Sequence, residues 1–185
     1  MLLVIALASA LMVGRGYAAS RMTFLGISDG ATVLLRAAPG MPDVAAIVSD
    51  SAYDRLAPQL DAFWSGAGVP AHIRWLATQL TRVYGVDPFA STADSVRAAP
   101  SQAVLFIHAR GDAAIPHTDA LALRAASASG QSQLWITGGR VHLATYSAYP
   151  QEYLRRLHAF IDGRIAQATA RRGDPGPPGR DRLIP

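Results

Sequence analysis

The sequence predicts an α/β protein in which about four parallel strands are flanked by helices. Four short apolar runs indicate strands, at residues 22–27, 44–49, 103–108 and 133–137. Because none of these runs alternates polar with apolar residues, we expect each strand to be covered on both faces, as parallel strands are. Helical patterns separate the runs, and such an alternation is typical of a parallel sheet with helices packed on it.

The predicted helices end at recognisable breaks. Residues 30–38 are rich in helix formers and stop at a Pro-Gly pair, and residues 119–129 end at Gly130. The pattern at residues 149–170 has Pro150 in its first turn, where the missing N–H costs nothing. One face of this last helix carries its large apolar side chains, which are Tyr153, Leu154, Leu157, Phe160, Ile161 and Ile165.

Three segments are expected along the chain. Residues 1–20 form an apolar N-terminal helix or a signal-like segment, and residues 21–167 form the main domain. Within that domain, about residues 53–100 break the strand–helix rhythm and indicate a helical insertion. Residues 168–185 are rich in Pro, Gly and Arg, and we expect this tail to be disordered.

The N-terminal segment allows two interpretations. Its apolar run at residues 2–13 is followed by small residues, as in a signal peptide, but no arginine precedes Arg15 and the run is shorter than the roughly 20 residues that span a bilayer. We favour a helix buried against the sheet, which goes with a cytoplasmic protein. The alternative is an exported protein, or one that associates with a membrane through this segment.

Composition excludes several classes of function. All 17 basic residues are arginine, and the net charge of +4 falls to about +2 without the tail, so we expect no nucleic-acid binding. The absence of cysteine excludes disulfides, thiolate metal sites and a cysteine nucleophile. The five histidines lack metal-ligand spacing and no phosphate-binding glycine loop is present. We therefore expect neither a metal nor a cofactor.

The strongest local motif is the G-x-S-x-G formed by Gly26, Ser28 and Gly30. An apolar strand leads into it and a helix-forming run leads out of it, which is the context of a nucleophile elbow. In such an elbow the serine lies on a strained turn, and small residues on either side let strand and helix approach each other. The alternative is an ordinary strand–turn–helix with a capping serine.

Two further polar residues follow two further strands. Asp112 lies in a short loop after the third strand, and His142 lies in a glycine-rich loop after the fourth. Taken singly, the aspartate suits a turn and the histidine suits a structural position. Together, the order Ser28, Asp112, His142 is the order of a hydrolase triad, with each residue at the end of its own strand.

Four blocks of the sequence resemble successive blocks of α/β-hydrolase serine hydrolases, in particular the esterase and prolyl-oligopeptidase-like branch. The likeness covers about residues 15–165, and its blocks are RGYAASRMTFLGISDGATVLLRAA, VAAIVSDSAYDRL, VLFIHARGDAAIP and GGRVHLATYSAYPQEYLRRLHAFI. The resemblance implies a partial α/β-hydrolase fold in which Ser28 is the nucleophile, Asp112 the acid and His142 the base. It also implies an acyl-enzyme at Ser28.

Two further residues, His108 and Asp50, lie close to the expected position of the triad acid. His108 is followed by alanine where the family commonly has His-Gly, and we interpret His108 as structural. Asp50 follows the second strand and is a rival for the triad acid, since some members of the family carry theirs there. We favour Asp112 because of its strand–loop–Ile-Pro context.

The resemblance also predicts an oxyanion hole with two backbone donors, of which this sequence contains one. The backbone N–H of Asp29 is the expected oxyanion-hole donor, whereas the second donor belongs to a loop before the elbow strand. Only about 21 residues precede that strand, so we interpret the chain as N-terminally truncated. Because loss of one donor costs about 10²–10³ in rate, we expect weak or absent activity from the chain alone.

These observations lead to two functional hypotheses. The first is hydrolysis of carboxylic esters, or of amides or peptides, with the insertion acting as a lid and Phe63, Trp64 and Trp75 lining an acyl pocket. The second is a catalytically silent fragment or pseudoenzyme that associates with itself through the open edge of the elbow strand.

Overall fold

The computed structural model describes residues 10–172, in which four parallel strands form one sheet. The strands are β1 (Thr23–Ile27), β2 (Ala46–Asp50), β3 (Val104–Ala109) and β4 (Gln133–Thr137), and they lie side by side in chain order. Their ends agree with the predicted strands to within two residues. The predicted α/β class with a parallel sheet is therefore confirmed.

Helices connect and flank these strands. They are α1 (Asp29–Ala37), α2 (Leu56–Gly66), α3 (Ala71–Leu80), α4 (Thr92–Arg97), α5 (Thr118–Ala126), α6 (Thr145–Ala148) and α7 (Pro150–Arg172). Short 3-10 turns lie at Ala19–Arg21, Ala38–Gly40 and Thr81–Tyr84. As predicted, Pro150 occupies the first position of the last helix, where it removes no intrahelical hydrogen bond.

The sheet has a packed core on each face. On one face α1, α4 and α5 cover the apolar side chains of β2 and β3, with Ile47 and Phe106 at the centre. On the other face α7 contributes Tyr153 and Phe160. Burial of each such side chain stabilises the fold by about 1.5–3 kcal/mol, so the two central strands are held from both sides.

The outer strands differ from the prediction. The expectation that all four strands are covered on both faces holds for β2 and β3 and is wrong for β1 and β4. Leu25 and Ile27 of β1 are 44% and 46% exposed. The reason is that α7 lies over the middle of the sheet, and β1 has one neighbouring strand among residues 10–172.

The segment between β2 and β3 is helical and contains α2, α3 and α4. Only α4 joins the core, through Ala93 and Val96, whereas α2 has no buried residue and α3 buries only Thr78. The helical insertion predicted for this part of the fold thus consists of a packed helix and two helices that project from the sheet.

The two ends of the described chain differ from expectation. Residues 10–14 are helical, but Leu11, Met12 and Val13 are exposed, so this part of the N-terminal segment is not the buried helix that we favoured. No helix within residues 10–172 combines the length and the apolar character that crossing a membrane requires. The helix α7 continues to Arg172, past the predicted tail boundary at residue 168, and residues 1–9 and 173–185 lie outside the described residues.

The closest approach between a strand and a helix is at Gly26. A Cβ atom added there would lie 2.6 Å from the carbonyl oxygen of Gly30 and 2.7 Å from the Cα of Ala31, both of which are backbone atoms. A Cβ added at Gly30 would meet nothing within 4 Å. Of the two glycines of the motif, only Gly26 is therefore required for the packing of α1 on β1, whereas the expectation for Gly30 is not met.

This difference gives a matched pair of substitutions. Gly26→Ala should lower the free energy of unfolding by about 1–3 kcal/mol, because backbone atoms must move to accept the methyl group. Gly30→Ala should be neutral or stabilising by up to about 1 kcal/mol, because it restricts the unfolded chain without a clash. Urea unfolding followed by circular dichroism measures both, and equal losses in the two variants would contradict the interpretation.

Candidate active site

Ser28 lies on a strained turn between β1 and α1. Its φ of 53° and ψ of −123° are unusual for a residue with a side chain, and such conformations cost on the order of 1–3 kcal/mol. Two backbone hydrogen bonds hold it there: Ser28 N donates to the carbonyl of Asp50 at 2.8 Å, and Thr32 N donates to the carbonyl of Ser28 at 3.1 Å. This geometry fits the sharp turn predicted from the motif.

Asp112 lies in the loop after β3, where the local backbone fixes its carboxylate. One oxygen, Oδ1, accepts hydrogen bonds from the backbone N–H groups of Ala114 at 2.9 Å and Ile115 at 3.0 Å. The side chain is fully buried. The other oxygen, Oδ2, points to the ring of His142. The sequence Asp-Ala-Ala-Ile thus provides both the carboxylate and the donors that orient it.

His142 lies in the loop after β4, which is tied to the loop that carries Asp112. Arg110 N donates to the carbonyl of Thr137 and Gly111 N donates to the carbonyl of Gly139, both at 2.9 Å. A side chain at Gly111 would crowd Arg140 and Gly139. The two loops therefore pack backbone against backbone, and this packing brings the histidine beside the aspartate.

The structure brings Ser28, His142 and Asp112 into one chain of hydrogen bonds. The Oγ of Ser28 is 3.0 Å from Nε2 of His142, and Nδ1 of His142 is 2.6 Å from Oδ2 of Asp112. An ionised carboxylate only accepts hydrogen bonds, so Nδ1 carries the proton of the neutral ring and Nε2 presents its lone pair to the hydroxyl. Such an arrangement can remove the hydroxyl proton when the oxygen attacks a carbon centre.

Asp50, the rival acid, is engaged elsewhere. Its Oδ1 accepts a hydrogen bond from the hydroxyl of Ser51 at 2.9 Å, and the hydroxyl of Tyr153 donates a second. Its carboxyl group is buried, and this burial raises its pKa although both hydrogen bonds and the nearby His108 and His142 lower it. The carboxylate hydrogen-bonded to His142 is therefore that of Asp112.

His108 is fully buried behind Asp112. Its Nε2 donates to the carbonyl of Ile115 at 2.9 Å and lies 3.5 Å from Oδ2 of Asp112. The ring thus braces the loop that carries the aspartate and does not reach Ser28 or His142 by a hydrogen bond. This position agrees with the interpretation of His108 as structural.

A cavity of about 350 Å³ lies over Ser28 and His142. Helix α2 forms one wall through Leu56 and Phe63, and Ile115 forms part of another. Of the three aromatic residues predicted to line an acyl pocket, only Phe63 does so. Trp64 contacts Phe63 edge to face at 5.1 Å between ring centroids, and Trp75 is exposed on α3.

Sequence reasoning missed the residues that complete this cavity. They are Tyr53, Leu56, Gln59, Ala62, Ala113, Ala114 and Ile115. The only available signal was position, since Ala113, Ala114 and Ile115 directly follow Asp112 and Tyr53 lies three residues beyond β2. Within residues 10–172, no group of three or more His, Cys, Asp or Glu side chains is arranged to hold a metal ion.

The burial of Asp50 predicts how stability depends on pH. Because its folded pKa is raised above the ordinary value of 3.8, the folded state holds this proton more tightly than the unfolded state, and stability falls as pH rises above about 4. Asp50→Asn lacks this loss, because an amide does not ionise, and its Oδ1 can still accept the hydrogen bond from Ser51. The Tm of Asp50→Asn should therefore rise relative to the parent protein between pH 4 and pH 7.

Thermal unfolding followed by circular dichroism across this pH range measures the effect. The variant Asp94→Asn removes one negative charge from an exposed position and serves as the control. Parallel pH profiles for Asp50→Asn and the parent protein would contradict the interpretation.

Comparison with solved structures identifies the fold that carries this geometry. No family model matches the sequence, and no curated protein matches it. Among solved structures, an esterase from Pyrococcus furiosus is similar with a TM-score of 0.59 and 16% identity, covering 77% of this chain and 53% of that one. The chain therefore spans about half the length of this relative.

Two other solved structures give the same result. An α/β-hydrolase enzyme from a metagenome of sediments of the lagoon of Mar Chica, Morocco, has a TM-score of 0.58 and 18% identity, with 86% of this chain and 68% of that one covered. A meta-cleavage product hydrolase from Pseudomonas fluorescens has a TM-score of 0.53 and 17% identity, with 75% and 64% covered. The protein therefore has part of the α/β-hydrolase fold.

Proposed function

We propose that this protein is a serine hydrolase of carboxylic esters, in which Ser28 is the nucleophile, His142 the general base and Asp112 the residue that orients and stabilises the base. One observation supports the proposal above the others. Two hydrogen bonds, of 3.0 Å and 2.6 Å, join the serine hydroxyl through the imidazole to a fully buried carboxylate. A serine that only caps a helix needs neither partner.

The proposed reaction has two halves. Ser28 Oγ attacks the ester carbonyl carbon while its proton moves to Nε2 of His142, and the resulting tetrahedral intermediate collapses as His142 protonates the leaving alkoxide. The product is an acyl-enzyme at Ser28 and a free alcohol. Water then attacks the acyl carbon as His142 takes its proton, and collapse releases the carboxylic acid and returns the proton to Ser28.

The N-terminus of α1 stabilises the negative oxygen of the tetrahedral intermediate, the oxyanion. The N–H of Ser28 is occupied by the carbonyl of Asp50, so the next N–H, that of Asp29, is the available donor. It lies in the first turn of α1, where N–H groups have no intrahelical acceptor and the helix dipole adds positive potential. A donor of this kind contributes about 2.7–4 kcal/mol to the transition state.

The lining of the cavity favours an ester with a neutral, apolar acyl group. Leu56, Phe63 and Ile115 surround the space beside Ser28. The ionisable residues in this lining are Asp29, His142 and Tyr53. The carboxylate of Asp29 disfavours a negatively charged substrate. Amides and peptides are the second substrate class, as expected for the prolyl-oligopeptidase-like branch. The neighbour named an esterase supports the first class, and the two named hydrolases support hydrolysis without favouring either class.

A second candidate function rests on the edge of the sheet. The exposed side chains of Leu25 and Ile27 lie on β1, next to a strand edge without a neighbour among the described residues. Such an edge favours pairing with another copy of the chain. Under this hypothesis the protein is catalytically silent, its mass in light scattering rises with concentration, and no activity-based probe reacts with it.

Covalent labelling by a fluorophosphonate probe tests the main proposal. The probe should react with the parent protein at Ser28, because the hydrogen-bonded imidazole activates that hydroxyl, and Ser28→Ala should abolish the reaction. Hydrolysis of p-nitrophenyl butanoate by the parent protein should be slow, and Asp112→Asn should reduce it to the background rate, since loss of this carboxylate costs about 10⁴ in the known precedent of a serine protease. Mass spectrometry locates the label and absorbance measures the hydrolysis.

The matched control is Ser147→Ala, which removes an exposed serine hydroxyl on α6. This variant should label like the parent protein. Absence of labelling in the folded parent protein, or equal labelling of Ser28→Ala, would sink the proposal.

A further inference from the structure

We propose that Tyr53, held by Asp29, is the wall that limits the length of the acyl chain in this site. This inference rests on the proposed function and specifies its substrate range. On the far side of Tyr53 lies a second cavity, and the tyrosine separates it from the space over Ser28. Removal of the phenol ring would join the two cavities and admit longer acyl chains.

The two cavities share one wall. The first, of about 350 Å³, lies over Ser28 and His142, and the second, of about 490 Å³, lies beside α1. Three residues line both of them, namely Asp29, Tyr53 and Leu56. Residues that face two cavities at once form the partition between them, and Tyr53 contributes the largest side chain to it.

The structure fixes Tyr53 in this position from two directions. Its hydroxyl donates a hydrogen bond to the carboxylate of Asp29. Its backbone N–H donates to Oγ1 of Thr32 at 3.1 Å, and the same hydroxyl group of Thr32 donates to the carbonyl of Tyr53 at 3.5 Å. Burial and the charge of Asp29 raise the pKa of Tyr53, so the phenol remains a donor throughout the neutral range. The partition is therefore tied to the helix that begins at the nucleophile.

The lining of the second cavity suits a hydrocarbon chain. Val33 and Val86 line it with Leu56. The carboxylate of Asp87, which also lines it, accepts a hydrogen bond from the backbone N–H of Phe89 at 3.1 Å and lies 3.5 Å from the guanidinium of Arg82. Its one arginine, Arg36, is engaged by protein groups: the guanidinium donates to the carbonyl of Ala90 at 2.8 Å and to Oγ1 of Thr92 at 3.0 Å. These bonds engage Nε and Nη2 of the guanidinium, and the carboxylates of Asp29 and Asp87 in the same lining disfavour an anionic ligand. An acyl chain that entered would remove its methylene groups from water, which favours binding.

The test compares kcat/KM for p-nitrophenyl decanoate with that for p-nitrophenyl butanoate, so that the leaving group stays constant. Tyr53→Ala should raise this ratio on the order of tenfold, which corresponds to about two additional buried methylene groups. Tyr53→Phe keeps the ring and should stay within about threefold of the parent ratio. Because Tyr53 is buried, circular dichroism must show that each variant is folded.

Two more variants keep the test decisive. Leu56→Ala shortens another side chain of the same partition, one that is less buried than Tyr53. This variant should also raise the ratio of kcat/KM for decanoate to kcat/KM for butanoate. On the Tyr53→Ala background, Val86→Trp fills the second cavity and should remove the gain for decanoate, because Val86 lines that cavity and not the first.

The outcomes separate this inference from the proposed function. An unchanged ratio in folded Tyr53→Ala and Leu56→Ala, with the fluorophosphonate label intact at Ser28, overturns the partition alone. A gain that persists in Tyr53→Ala/Val86→Trp also overturns it, since the longer chain would then lie elsewhere. Loss of labelling in the parent protein overturns the proposed function, and the partition with it.

Discussion

The contact of α1 with β1 at Gly26 is the constraint on which the site depends. The helix starts one residue after Ser28 and lies so close to the strand that a methyl group would strike its backbone. The chain turns this sharply only because Ser28 accepts a strained conformation, which the bond from its N–H to the carbonyl of Asp50 holds in place. The strained backbone of Ser28 and the position of its hydroxyl therefore both depend on this close approach.

The parallel sheet brings the three residues of the candidate site together. Because β1, β3 and β4 run in the same direction, their following loops emerge at one edge of the sheet and carry Ser28, Asp112 and His142 there. The loops after β3 and β4 are bonded to each other, so the imidazole and the carboxylate are positioned before any ligand arrives. The strand between them, β2, ends in a second carboxylate, and Tyr153 and Ser51 keep that group in hydrogen bonds of its own.

The positions of the strands were predictable from the sequence, because each strand is an apolar run. The burial of individual side chains was not predictable, because it depends on residues that are distant in the chain. The four strands were found to within two residues because each is a compact apolar run bounded by turn residues. Leu25 and Ile27 follow the same pattern and yet are exposed, since a sequence run does not tell how far α7 reaches across the sheet. Among the aromatic residues of the insertion, Phe63 lines the cavity over Ser28 and Trp75 does not, although the two are equally exposed, at 67% and 65%.

The sequence by itself determined the chemistry that is available: one serine in an elbow motif, an aspartate and a histidine after later strands, and no cysteine. It did so because chain order and strand ends are local properties. Only the tertiary structure decided which carboxylate meets the imidazole, which residues enclose the cavity and that Tyr53 divides it from a second one. These features arise from distances between residues far apart in the chain, and such distances are set by the packing of the sheet and its helices.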